Sequence, residues 1–170
     1  MSTRIMVGAF LTCQNKVLLM NRNNDRKIAP GLWSCIGGHL EREEVSDPRQ
    51  INHIAAIYRE IKEEAGISRD EILNLGLRYI TMRIVRDEGE NEEIRPCYYY
   101  VGKASREFKP PYCGEGILHW VELKDTVNLP MSFSVKEVVK HWLDNSATKK
   151  DTVFLVGINK DNNQSTFIEL

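Results

Sequence analysis

The sequence predicts an α+β domain, or a three-layer α/β/α one, built on a mixed β-sheet. Two observations carry this. Short runs of strand formers recur from end to end, several of them separated by turn residues. Two longer segments instead repeat apolar residues at helical spacing. A chain of 170 residues is long enough to bury one substantial core, so residues 1–170 are expected to form a single domain.

Val7–Leu11 and Lys16–Met20 read as strands joined by a hairpin turn around Gln14-Asn15-Lys16. Asn21 to Gly31 is polar, ends in Pro30-Gly31 and reads as loop. Leu32–Ile36 is a brief strand halted by Gly37-Gly38. A long helix follows. Asp47 is placed to cap it, Pro48 to occupy its first position and Gln50 to complete a capping box, while Gly66 ends it in a left-handed turn. Leu73–Arg86 and Ile94–Val101 are strands on either side of a turn at Asp87–Asn91. Ile117–Val121 is a further strand, and Ser134–Leu143 an amphipathic helix with Val135, Val138, Val139 and Trp142 on one side. Val153–Val156 and Thr166–Ile168 form a last hairpin around Asn159–Asn162, which makes residues 146–170 a C-terminal extension.

Composition removes several classes of function. No apolar run approaches the ~18 residues a membrane helix needs, so no membrane association is expected. Basic and acidic residues nearly cancel, 23 against 24, which gives no support to binding a nucleic-acid polymer. Cys13, Cys35, Cys97 and Cys113 form no Cys-x-x-Cys pair and read as reduced, mostly buried thiols. The N-terminal residues lack a signal-peptide layout, so a cytoplasmic location is the expectation.

The chemistry gathers in the long helix. Projected at about 100° per residue from Ile51, the residues Ile54, Ala55, Tyr58, Ile61 and Ala65 form a core-facing stripe. Glu60, Glu63 and Glu64 fall on the opposite side at i, i+3 and i+4, with their carboxylates close together. Lys62 lies on the apolar side of this projection. Arg59 reaches Glu63 but leaves Glu60 and Glu64 repelling one another. A hard divalent cation converts such repulsion into binding. Ahead of the helix, Gly37-Gly38 lets the backbone approach a ligand closely.

Gly38, Glu44 and the run Arg59-Glu60-Ile61-Lys62-Glu63-Glu64-Ala65-Gly66-Ile67 together resemble the Nudix box. That box is a glycine, five residues, a glutamate, seven residues, then Arg-Glu-apolar-x-Glu-Glu-x-Gly-apolar. The back half matches at every fixed position. The one departure is spacing: residues 45–58 make fourteen between Glu44 and Arg59 where the family has seven. Seven extra residues are nearly two helical turns, a phase error of only about 20°. They can lengthen the helix without rotating the glutamates, or they can be loop.

The resemblance implies an α/β/α sandwich with a mixed sheet and hydrolysis of a diphosphate linkage in a nucleoside diphosphate derivative. It implies Mg2+ as cofactor, with Mn2+ as a substitute, and metal ligands among Gly38 (through its carbonyl), Glu44, Glu60, Glu63 and Glu64. Arg59 orients Glu63. The general base is a box glutamate or Glu115, with Glu92 and Glu93 as rivals. Trp33, Tyr98, Tyr100 and Trp120 are candidates to stack on a substrate base.

By elimination of motifs that mark other branches, a (deoxy)nucleoside triphosphate leads as substrate, an oxidised purine form included. The alternatives are an ADP-ribose or nucleotide-sugar pyrophosphatase, an isopentenyl-diphosphate isomerase-like enzyme, suggested by Pro30–Trp33, Cys35 and Gly38-His39, and a non-catalytic nucleotide-binding module. A homodimer follows from family habit.

Overall fold

The computed structural model describes residues 4–27, 29–46, 51–86, 92–159 and 163–170. Among them, eight strands form one sheet: β1 (Met6–Cys13), β2 (Lys16–Arg22), β3 (Trp33–Ser34), β4 (Ile72–Arg86), β5 (Glu92–Ala104), β6 (Gly116–Glu122), β7 (Phe154–Asn159) and β8 (Gln164–Glu169). The order is β3-β2-β1-β5-β4-β7-β8, with β6 also paired to β2. The β1–β5 and β4–β7 pairs are parallel and the rest antiparallel, so the sheet is mixed as expected. The last hairpin extends this same sheet, because β7 lies beside β4.

Alternation along β1 separates two packed faces. Val7, Ala9 and Leu11 join a cluster with Ala56, Ile57 and Ile61 of helix α1 (His53–Ala65). Phe10 faces the other way, into a cluster with Val135, Val138, Val139 and Trp142 of helix α2 (Phe133–Asn145). One helix thus covers each face. Ile57 and Ile61 are fully buried, and each contributes roughly 2–3 kcal/mol of burial.

Three expectations need correction. The strand expected at Leu32–Ile36 shrinks to Trp33–Ser34, because the chain then crosses from β2 to β1: the Ala9 N–H donates to Ile36 O at 2.8 Å and the Val7 N–H to Gly38 O at 2.9 Å.

The long helix begins at His53, not at Pro48; the expected cap at Asp47-Pro48 and its partner Gln50 lie outside the described residues. Asn52 is the cap, its side-chain oxygen accepting from the Ala55 N–H at 3.1 Å, and Gly66 (φ +70°) ends the helix as expected.

The buried stripe is rolled from the expected one. Ile51 precedes the helix, so it is a false origin for the projection, and Ile51, Ile54 and Ala55 are exposed. The packed face runs through Ala56, Ile57, Glu60, Ile61, Glu64 and Ala65. Lys62 is on the solvent side, bonded to Ser68 Oγ at 3.0 Å.

The expected turns at Asp87–Asn91 and at residues 160–162 also lie outside the described residues.

Candidate active site

Two carboxylates on the packed face of a helix need a neighbour without side chains, and the Gly37-Gly38 turn supplies it. The turn is strapped to β1 on one side and faces α1 on the other. A Cβ on Gly37 (φ +148°) would fall 2.1 Å from Val7 O, and one on Gly38 would fall 2.4 Å from Glu60 Oε1. At Gly37 the clash is with backbone, so only glycine fits there; at Gly38 it is with the Glu60 carboxylate itself. The Gly37 N–H donates to Glu64 Oε2 at 3.1 Å. The Gly38 carbonyl accepts from the Val7 N–H, so the contact it makes is with the sheet.

Burial sets the electrostatics. Glu64 is 6% exposed, and desolvation, aided by the Glu60 and Glu115 charges, pushes its pKa up to about 8 against the Gly37 N–H and Arg22. Glu60 is also raised, by burial first, although Arg59 opposes the shift. Both carboxylates are held in surroundings that penalise their negative charge.

Arg59 is the positive centre of this cluster. Its Nε and Nη2 donate to Glu44 at 3.0 and 3.1 Å, and Nη1 donates to Glu60 at 2.9 Å and to Glu63 at 3.1 Å. Nη2 also donates to the His39 carbonyl at 3.1 Å. Arg59 therefore does more than orient Glu63: it pins residues 39–44 to the helix. Burial alone would raise Glu44, but the bonds from Arg59 and from the Glu41 N–H outweigh it and hold Glu44 below the usual carboxylate range.

The extra residues leave this arrangement untouched. The Asn52 N–H donates to Glu44 O at 2.9 Å, so the chain flanking residues 45–51 returns to where it left. The helix is not lengthened through Ile51-Asn52, which are non-helical.

Glu115 precedes β6 and lies within electrostatic reach of Glu64. Arg22 Nη2 donates to one of its oxygens at 3.2 Å and Arg26 Nη2 to the other. These arginines were not among the expected site residues. They meet Glu115 because β2 pairs with β6 in a register that sets Arg22 against Gly116, a pairing between distant segments that no local pattern encodes. Of the rival bases, Glu93 is buried and paired with Arg4 at 3.4 Å and Arg95 at 2.6 Å, and the side chain of Glu92 lies outside the described set.

The aromatic candidates are split between faces. Tyr98 and Tyr100 lie on the α1 face. Tyr98 stacks on His53 at 4.6 Å between ring centroids, and the Tyr100 hydroxyl bonds His53 Nδ1. Trp33 packs on the α2 face and leans on His119 at 5.4 Å. Trp120 is tied through its Nε1–H to Phe108 O at 2.8 Å.

Among the described residues, no three His, Cys, Asp or Glu side chains stand together as a ready-made metal cage. The donor set nonetheless suits a hard cation: buried carboxylate oxygens one turn apart, beside a glycine turn, with a guanidinium already sharing three of the neighbouring carboxylates. All four cysteines are free thiols; Cys97 is buried, with its pKa pushed up to about 12 by desolvation, while Cys13, Cys35 and Cys113 are half-buried. No described helix is long and apolar enough to cross a membrane.

The NUDIX domain family model matches residues 2–143. No curated protein matches the sequence significantly. Solved structures share the fold. The mutator MutT protein of Bacillus halodurans superposes with a TM-score of 0.67 at 21% identity, over 98% of this chain and 97% of that one. The NUDIX domain of Shewanella oneidensis NrtR, complexed with ADP ribose, gives 0.62 at 19% identity, over 85% and 89%. The dihydroneopterin triphosphate pyrophosphohydrolase of E. coli gives 0.60 at 18% identity, over 84% and 95%.

Proposed function

The chain belongs to the Nudix family, and on that premise we propose that it hydrolyses a diphosphate linkage in a nucleotide, using a divalent cation held by Glu60 and Glu64. The observation that supports this best is the pair of buried carboxylates one turn apart, Glu60 and Glu64, packed under a turn that needs glycine at Gly37 and brings Gly38 against the Glu60 carboxylate. Burying two acids without a cation costs stability that an apolar pair would not. The arrangement is therefore better explained by what the acids bind than by packing.

Glu60 and Glu64 are the main ligands in this reading. Glu63 is a further ligand from the exposed edge of the helix. Glu44 acts through Arg59, as the far anchor of the guanidinium. The Gly38 carbonyl can contribute only alongside its bond to Val7. Mg2+ is the expected ion and Mn2+ a substitute; when bound, it neutralises phosphate charge and makes water more acidic. The residues of this chain position the ion and order the water.

Glu115 is the proposed general base. Arg22 and Arg26 engage both its oxygens, so it becomes free to take a proton when one guanidinium turns to a substrate phosphate. This couples substrate arrival to activation of the base. Tyr98 and His53 already stack face to face on the α1 face, and a base extends that stack. Trp33, on the opposite face, has no part in that stack.

The solved structures that share the fold are named for different ligands, so the substrate is proposed from chemistry: a (deoxy)nucleoside triphosphate, oxidised purines included. The test is a panel of nucleoside triphosphates, ADP-ribose, nucleotide sugars and isopentenyl diphosphate, incubated with and without Mg2+. The expected result is metal-dependent release of pyrophosphate with a nucleoside monophosphate. Isomerisation without phosphate release, or tight binding without cleavage, would overturn the proposal.

A further inference from the structure

We propose that a cavity on the α2 face, remote from Glu60 and Glu64, is a second ligand site for a small phosphate-bearing anion. The cavity is about 600 Å³, well within the size of small-molecule sites. It lies between the C-terminal end of α2 and the sheet. Its floor is apolar: Tyr79, Trp142 and Phe154 belong to the α2-side cluster, not to the cluster under α1.

The charge around it is one-sided. Arg78 comes from β4, Lys103 from β5, and Lys149 and Lys150 from the segment after α2, so cations from three separate parts of the chain converge on one space. A single carboxylate, Asp151, faces them from the lining, and it pairs with Arg78 at 3.2 Å. Lys149 pairs with Glu169 and sits 5.6 Å from the Phe154 ring centre. Lys103 and Lys150 have no ion pair among the described residues, and both are exposed.

Lysines after a helix end also complement its dipole. That accounts for Lys149 and Lys150 but not for Arg78 and Lys103, which belong to strands. The backbone is also unusual at this point. Asn74, on the cavity wall, has φ +53°, and the β4–β5 register shifts on both sides of Leu77. Such bulges re-aim side chains where a sheet meets a ligand. With Arg78 and Lys149 already facing Asp151 and Glu169, the positive charge left over comes from Lys103 and Lys150, and an anion in the cavity offsets it. A phosphate group, free or carried on a nucleotide, supplies two negative charges, and an attached ring or ribose meets the apolar floor.

The experiment is a titration followed by amide NMR, with EDTA present so that no hydrolysis occurs. Inorganic pyrophosphate and ADP are added separately to the wild type, to Glu64→Gln and to the double variant Lys103→Glu/Lys150→Glu. The expected result is saturable shifts at the amides of Lys103, Asn145, Lys149 and Lys150, equal in wild type and Glu64→Gln. Affinity in the double variant falls at least about tenfold. Tighter binding of ADP than of pyrophosphate assigns the floor to the nucleoside; equal binding assigns the site to the phosphate alone. Shifts confined to Gly37–Glu64, no saturable shifts, or unchanged affinity in the double variant would overturn the proposal. Because both substituted lysines are exposed, the melting temperature should be unchanged. The outcome does not depend on whether the Glu60–Glu64 site is active.

Discussion

Deleting residues 45–51, so that Glu44 is joined directly to Asn52, should leave both fold and activity intact. Glu44 O and Asn52 N are already hydrogen-bonded at 2.9 Å, so the two ends of the segment lie side by side. Closing the chain must bring Asn52 N from that hydrogen-bonding position onto the Glu44 carbonyl carbon and turn its N–H away from the oxygen, a rearrangement of roughly 2–3 Å at the join. At the described ends of the segment little packing is lost: the turn at Arg42–Val45 buries no residue, and Val45 and Ile51 are 37% and 38% exposed. Every bond from Arg59 to Glu44 lies outside the deleted segment. Asn52 N–H loses its acceptor, while the shorter connection regains loop entropy; each effect is about 1 kcal/mol or less. For a domain of this size, 1 kcal/mol moves Tm by roughly 2–4 °C. The assays are a thermal melt and Mg2+-dependent pyrophosphate release, with Tm expected within about 4 °C and turnover within about threefold, or less than 1 kcal/mol. A folded deletion variant with turnover down a hundredfold or more would refute the reasoning, as would a variant that fails to fold.

Gly38→Ala places a methyl 2.4 Å from Glu60 Oε1, the end of a flexible side chain; the carboxylate must swing aside, so Tm should hold within about 4 °C while turnover falls more than tenfold because Glu60 has left its position. Arg59→Lys keeps the charge but not the fork that joins Glu44, Glu60 and Glu63, so turnover should fall at least tenfold, with Mg2+ recovering more stability in the variant than in the wild type; equal recovery in both would contradict the role given to Arg59. Burial lowers the pKa of His53 and, chiefly by burial, that of His141. Their folded forms bind fewer protons than the unfolded chain, so the stability they contribute is complete above the unfolded value near ~6.5 and is lost as pH falls through the folded values. Urea midpoints at pH 7.5 and 5 should then drop further for the wild type than for a His53→Gln/His141→Gln variant.

The part of the site that is local in sequence was legible. Gly66 ends the helix, and Glu60 and Glu64 lie one turn apart, because helical geometry alone dictates both. The start of the helix was not. A plausible cap at Asp47-Pro48 carried Ile51 into the projection, and the whole stripe rolled with it. Glu60 and Glu64 consequently looked solvent-facing, although the absence of side chains on Gly37-Gly38 lets them pack inward. Long-range pairings were beyond reach as well. Arg22 meets Glu115 through the β2–β6 register, and Trp33 is separated from Tyr98 by the sheet, two facts that depend on which strands become neighbours. The spacing departure, by contrast, resolved on one hydrogen bond, between Asn52 and Glu44.

The most direct measurement is Mg2+-dependent pyrophosphate release by Glu64→Gln, compared with the wild type at equal folded fraction. Glutamine keeps the shape and can still accept from the Gly37 N–H, while removing a charge whose burial is unfavourable, so Tm without metal should hold or rise. Turnover should fall by at least about a hundredfold, or 2.7 kcal/mol. Near-normal turnover in Glu64→Gln, with the same response to Mg2+, would contradict the claim that the buried pair holds the catalytic ion.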